Sequence, residues 1–137
     1  MKLKVFKKYH NFSAMKLIVN LKNEIKKFYL DVEGTYVLTT NCDFENADEN
    51  RKNWMQENGI NAIWFDKENN SWNIGDKGNI GTDKCKIKAE AIDANKEPCE
   101  IKEWKYFEDL GFEWVTSKDV VIQGIQVLYS TIDIKKN

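Results

Sequence analysis

The sequence feature that most constrains the fold is a series of short apolar stretches separated by turn residues, within residues 53–76. The stretches are NWMQ, NAIWF and SWNIG, and the separators are ENGI and DKENN. Asn and Gly accept positive φ, and Asp and Asn side chains hydrogen-bond to nearby backbone, so both separators predict a chain reversal. The segment therefore predicts an antiparallel meander of short strands. Residues 47–57 also fit a short helix that stops at Gly59, and this alternative stays open.

The same alternating pattern extends across residues 34–134. It begins with TYVLTT, and its clearest example is KCKIKAEA, in which Cys85, Ile87 and Ala89 alternate with charged residues. Such alternation is typical of a strand with one buried and one solvated face. The β-branched and aromatic stretches EWKYF, FEWVT and VVIQGIQVLYS predict further strands.

A different period precedes this region, over residues 13–30. Ser13 is a suitable N-cap, and apolar residues then recur at intervals of three and four residues, which predicts an amphipathic helix. Its apolar stripe either packs on the protein's own sheet or binds a partner. Leu17, Leu21 and Ile25 are the partner-binding candidates on this stripe.

The length of 137 residues predicts one globular domain over residues 13–137. Residues 1–12 form a basic leader, for which disorder is one interpretation. The predicted fold is mainly β. It is a small antiparallel meander with a barrel-like or sandwich sheet, and one N-terminal amphipathic helix covers an edge or a face.

The charge and the cysteine content indicate which kinds of partner and which cellular compartment to expect. The 21 basic and 22 acidic residues nearly cancel, so no general field attracts nucleic acid. No apolar run is long enough for a membrane span, and no secretory signal is recognisable. An odd set of three cysteines at wide spacing predicts reduced thiols and an intracellular, cytoplasmic protein. One bridge between Cys85 and Cys99 stays as the alternative.

No recognisable catalytic or metal-binding constellation occurs. The single histidine, His10, lies in the leader, and the chain has no CxxC motif. Glycines 75, 78 and 81 fit neither common phosphate-loop spacing, so they predict tight turns. We therefore predict a protein without enzymatic activity, metal or cofactor.

The five tryptophans are the most informative residues. Each lies in a short stretch beside alternating apolar residues, which favours core or rim packing for most of them. Exposed rings would instead form a binding face for a glycan or small ligand. The candidates for such a face are Trp54, Trp64 and Trp72.

The order of these motifs resembles a known small module. Over residues 34–121 the sequence places a Trp, then NG, IW, WxIG, a further Gly, Pro98 and a last pair of tryptophans. This order is similar to a tryptophan-rich β module found in large proteins of protists, algae and animals. The resemblance implies an interaction or accessory module with no established activity. The framework residues it implies are Trp54, Trp64, Trp72, Gly75, Trp104 and Trp114.

These features together predict a non-enzymatic protein-interaction or structural accessory module in a larger protein assembly. The alternative is a β domain that binds a carbohydrate or small ligand through exposed tryptophans. The sequence leaves the partner, the ligand and the oligomeric state open.

Overall fold

The computed structural model describes residues 14–39, 52–90 and 96–126, and within these ranges the protein is mainly β. Nine strands are present there: β1 Lys16–Leu21, β2 Gly34–Thr39, β3 Asn53–Gln56, β4 Asn61–Asp66, β5 Ser71–Asp76, β6 Ile87–Glu90, β7 Trp104–Glu108, β8 Glu113–Ser117 and β9 Val120–Ile125. The same ranges contain one α-helix, α1 Asn23–Phe28, and three 3₁₀ turns, Leu30–Val32, Lys77–Asn79 and Pro98–Glu100. The mainly β prediction is confirmed, and the basic leader lies outside the described residues.

The strands form one antiparallel sheet in the order β8-β7-β6-β5-β4-β3-β2-β1-β9. Its two edge strands, β8 and β9, are consecutive in the chain and are joined by Lys118 and Asp119 alone. A connection of this length spans at most about 11 Å, or three steps of about 3.8 Å between Cα atoms. The sheet therefore curls into a half-barrel that brings one end of β8 near the start of β9. At this point the Lys22 amide donates to the Asp119 carbonyl at 3.0 Å.

The helix predicted over residues 13–30 is wrong for most of its length. The N-terminal part is β1, in which Leu17, Val19 and Leu21 alternate as buried positions, and only α1 is helical. Strand and helix periods both fit these apolar residues, and pairing of β1 with β2 and β9 decides for the strand. Asn23, the first residue of α1, has φ +55°.

The main core lies on the concave face of the sheet. It joins the aromatic residues Tyr36, Trp54, Trp72 and Trp104 to apolar residues of β1, β9 and α1. The short helix and the turn after it cover one end through the buried side chains of Ile25 and Val32. The core thus uses both the sheet and the connection between β1 and β2.

A second apolar cluster lies on the opposite, outer face. Trp64 and Ala62 pack there beneath Ile80 of the connection between β5 and β6. The Trp64 indole donates to the Thr82 carbonyl at 3.0 Å. A side chain at Gly75 would place its Cβ 3.0 Å from the backbone of this connection, so Gly75 permits close packing rather than a turn.

The hairpin interpretation of residues 53–66 agrees with the structure. Strands β3 and β4 pair in antiparallel fashion, and Asn58 in the turn has φ +57°. The Gln56 side chain accepts a hydrogen bond from the Asn61 amide at 3.0 Å, which fastens the turn. Residues 47–51, the start of the alternative helix, lie outside the described residues.

Candidate functional site

The six residues predicted as binding candidates all lie in the interior. The side chains of Trp54, Trp64 and Trp72 are 0% exposed. The aliphatic candidates Leu17, Leu21 and Ile25 are buried in the main core. Direct contact with a ligand requires accessible atoms, so two surfaces made of other residues become the candidate sites.

The first surface is the turn between β7 and β8, residues 109–112, which we call the hairpin tip. Leu110 is 86% exposed and Phe112 is 83% exposed. Two large apolar side chains therefore stand in solvent within one short turn. Isolated exposed apolar residues are common, but two large ones within a single four-residue turn can together fill a pocket on a partner.

The backbone conformation at Phe112, within the tip, is unfavourable for a residue with a bulky side chain. Phe112 has φ +52°, whereas the neighbouring Gly111 does not have positive φ. The left-handed region costs a residue with a Cβ about 1–2 kcal/mol, and bulky residues rarely adopt it. Stability alone would favour Gly or Asn at position 112.

The charges around the tip are also unfavourable for folding. Glu108 and Glu113 lie directly opposite each other in the β7–β8 ladder, and Asp109 follows Glu108. Like charges at such a cross-strand position are destabilising. A Cβ built on Gly111 would lie 3.3 Å from a carboxylate oxygen of each glutamate, so the acids flank the tip.

Helix α1 and the turn after it extend this surface. The Phe28 ring stacks on Tyr106 of β7, with ring centroids 6.3 Å apart. The Tyr29 hydroxyl donates to the Phe107 carbonyl at 2.6 Å. Phe28 is exposed, so one more apolar side chain lies beside the strand that leads to the tip, and the exposed Leu30 follows two residues later in the chain.

A polar network fixes the same end of the half-barrel. Lys86 donates to the Asp31 carboxylate at 2.6 Å and to the Asn61 side-chain oxygen at 2.8 Å. Burial alone would raise the pKa of Asp31, but the hydrogen bonds from Lys86 and Asn61 outweigh it and lower this pKa. The network ties the β1–β2 connection to β4 and to the residues before β6.

The second surface is an outer groove of about 560 Å³ on the face opposite the main core. Its polar lining comes from β4, β5, β6 and the turn after β4, and Trp114 of β8 forms an aromatic wall. Residues that line it include Asp66, Asn69, Ser71, Asn73, Glu90 and Trp114. Trp114 is half-buried, whereas the other four tryptophans are fully buried.

Hydrogen bonds hold the polar floor of the outer groove in place. Ser71 donates to the Asn73 side-chain oxygen at 2.8 Å, and the Asn73 amide donates to the Thr82 carbonyl at 3.2 Å. The Asp66 carboxylate accepts from the Asn69 side-chain amide at 2.7 Å. These polar groups are therefore oriented before any ligand arrives.

The thiols described by the structure are free. Cys85 packs in the outer apolar cluster, and Cys99 packs against the main core. The two residues form no bridge with each other. Burial raises the pKa of Cys85 to about 12, so at neutral pH this thiol is protonated and a weak nucleophile.

Sequence reasoning missed Leu110, Phe112 and Trp114. The signal for the first two is DLGF, in which large apolar residues occupy a turn that otherwise favours polar ones. No local signal separates Trp114 from the buried tryptophans, since all five lie in similar strand contexts.

Comparisons with protein-family models, curated proteins and solved structures give no match. Membership of the tryptophan-rich module family therefore stays a prediction. Among the described residues, no helix has the length and apolar character that crossing a membrane requires. In the same part of the chain, His, Cys, Asp and Glu form no group that could hold a metal ion.

Proposed function

We propose that this chain is a non-enzymatic protein-interaction module that docks on a partner protein through its hairpin tip. The observation that carries the proposal is the exposure of Leu110 and Phe112, at 86% and 83%. Both side chains are too exposed to contribute much to the stability of the fold, and Phe112 adopts a backbone conformation that lowers this stability. Local strain retained at an exposed position is typical of functional sites.

The charge of the tip indicates the chemistry of the partner. Three acidic residues, Glu108, Asp109 and Glu113, lie in the tip or directly flank it. An anionic membrane surface would repel these carboxylates, so a lipid partner is disfavoured. The best match is a protein with an apolar pocket for Leu110 and Phe112 and a rim of lysine or arginine.

The free thiols Cys85 and Cys99 support placing the protein in a reducing, intracellular compartment. The proposed docking requires no cofactor, because apolar contacts and charge complementarity supply the binding energy.

Site-specific photo-cross-linking in cells of the source tests this proposal. A photoreactive benzoylphenylalanine replaces Leu110 in one variant. In the control variant it replaces Lys67, an exposed residue in the turn at the opposite end of the half-barrel. We expect a defined partner to be captured from position 110 and not from position 67.

Affinity for the captured partner, once purified, then decides the role of the tip. Truncation of an anchor residue costs about 2 kcal/mol or more, so Phe112→Asn should weaken binding about 30-fold. Asparagine tolerates positive φ, and the variant should stay folded. Equal capture from both positions, or an unchanged affinity of Phe112→Asn, would contradict the proposal.

A further inference from the structure

We infer that the outer groove is a second, independent binding site, and that it takes an uncharged saccharide. The groove lies on the face of the sheet opposite the main core, and its lining comes from β4 to β6 and β8. A volume of about 560 Å³ lies within the range of ~300–1,000 Å³ that small-ligand sites occupy.

The aromatic wall supplies the first feature that a sugar requires. Trp114 is the half-buried tryptophan, and its ring meets Phe107 edge to face with centroids 5.6 Å apart. This contact restrains the orientation of the indole. A restrained indole at a groove edge presents a flat apolar surface, and the C–H face of a pyranose ring packs on such a surface.

The polar lining of the groove supplies the second feature, which is a set of hydrogen-bonding groups above a fixed base. Asp66, Ser71 and Asn73 are buried although they lie on the outer face. The Asp66–Ser71 and Asn73–Lys88 pairs are directly opposite each other in the sheet. The side chains of the three buried residues already hydrogen-bond within the protein and form a fixed base. The polar groups that a sugar can reach are those of the exposed lining residues Asn70, Asp83 and Glu90. Hydroxyl groups of a sugar both donate and accept, so they match these amide and carboxylate groups.

The lining of the groove disfavours two other ligand classes, anionic ligands and purely apolar ligands. Asp66, Asp83 and Glu90 contribute three carboxylates to the lining, and Lys88 contributes one ammonium group. A phosphate or carboxylate ligand would be repelled by this balance. A purely apolar ligand would remove water from the exposed polar groups of the lining without replacing its hydrogen bonds. An uncharged polyol satisfies both conditions.

Lys88 connects the floor with the wall. Its ammonium nitrogen lies 4.1 Å from the centroid of the Trp114 ring. The flexible lysine stem lets this group turn towards a ligand hydroxyl when a sugar packs on the ring. Lys88 thereby serves as a positioning residue and a hydrogen-bond donor in the proposed site.

The test uses the full chain and a panel of neutral oligosaccharides: gluco-, chito-, manno-, xylo- and galacto-oligomers. Binding is measured by calorimetry and by tryptophan fluorescence. We expect at least one oligomer to bind the wild type. Trp114→Ala should weaken that binding at least about tenfold, and Trp114→Phe should restore most of it. The tip variant Phe112→Asn should bind like the wild type.

A second variant covers the case in which Trp114→Ala does not fold. Asn70 lines the groove and has φ +49°, so Asn70→Gly keeps the turn conformation and removes the amide. This variant should weaken binding several-fold. Failure of every oligomer to bind the wild type at about 10 mM would overturn the inference, as would unchanged binding by folded Trp114→Ala or Asn70→Gly. Neither result touches the hairpin tip, so the two sites succeed or fail separately.

Discussion

Replacement of Trp72 by alanine tests the assignment of the tryptophans to the core. The Trp72 ring is 0% exposed and lies between Trp54, at 5.8 Å, and Phe65, at 5.2 Å between centroids. Its indole donates to the Lys96 carbonyl at 2.9 Å. Trp72→Ala removes the ring contacts and this hydrogen bond, and leaves a cavity.

Loss of a buried tryptophan costs about 3–5 kcal/mol. Because two aromatic contacts and one hydrogen bond are lost together, Trp72→Ala should fall in the upper half of this range. Domains of this kind are stable by only ~5–15 kcal/mol, so the loss is a large fraction of the free energy of unfolding. With a urea dependence of about 2 kcal/mol per molar, the midpoint should fall by about 2 M.

Urea unfolding followed by far-ultraviolet circular dichroism measures this change without relying on tryptophan emission. The matched control is Trp114→Ala, which removes the same side chain from a half-buried position and should cost about 1 kcal/mol. A loss below about 1 kcal/mol for Trp72→Ala, at unchanged urea dependence, would refute the core assignment.

Three further predictions follow from individual residues. Phe112→Gly relieves about 1–2 kcal/mol of backbone strain in the folded state, while the greater conformational freedom of glycine stabilises the unfolded state by about 0.5–1 kcal/mol. The free energy of unfolding should therefore rise by about 0.5–1 kcal/mol, and a fall in the urea midpoint would refute this. The lowered pKa of Asp31 contributes stability above about pH 4 that is lost as pH falls through the folded pKa, so Asp31→Asn should flatten the acid limb of a stability–pH curve. An unchanged acid limb would show that the Asp31–Lys86 bond does not contribute to the stability of the fold. In a variant with Cys42 and Cys99 replaced by serine, Cys85 should react with iodoacetamide at pH 8 about a thousandfold more slowly when folded than in urea, and equal rates would contradict its buried, protonated state.

Local signals predicted the parts of the fold that depend on local chemistry. Asn58 and Asn70 both take positive φ in turns, as their place between apolar stretches indicates. The segment with Leu17 and Leu21 was assigned wrongly because its spacing fits two periods. Its strand state depends on pairing with β9, about a hundred residues later in the chain.

The candidate sites were less predictable for a related reason. Trp64 lies on the outer face and is buried only because the connection carrying Ile80 folds over it. Trp114 lies on a comparable strand and is only half-buried. The position of a residue within a strand predicts the face of the sheet on which its side chain lies, but it does not predict which other segment covers that face.

The placement of β8 and β9 at opposite edges has a consequence for how the chain acquires its structure. Strand β1 gains its second neighbour only when Leu17 meets Gly124. Such a long sequence separation delays closure and predicts slow folding. During synthesis, β2 to β8 can form by successive hairpins, while β1 keeps an open edge until β9 has left the ribosome. Between the formation of β2 to β8 and the release of β9 from the ribosome, a chaperone or a second nascent copy could therefore bind the unpaired edge of β1.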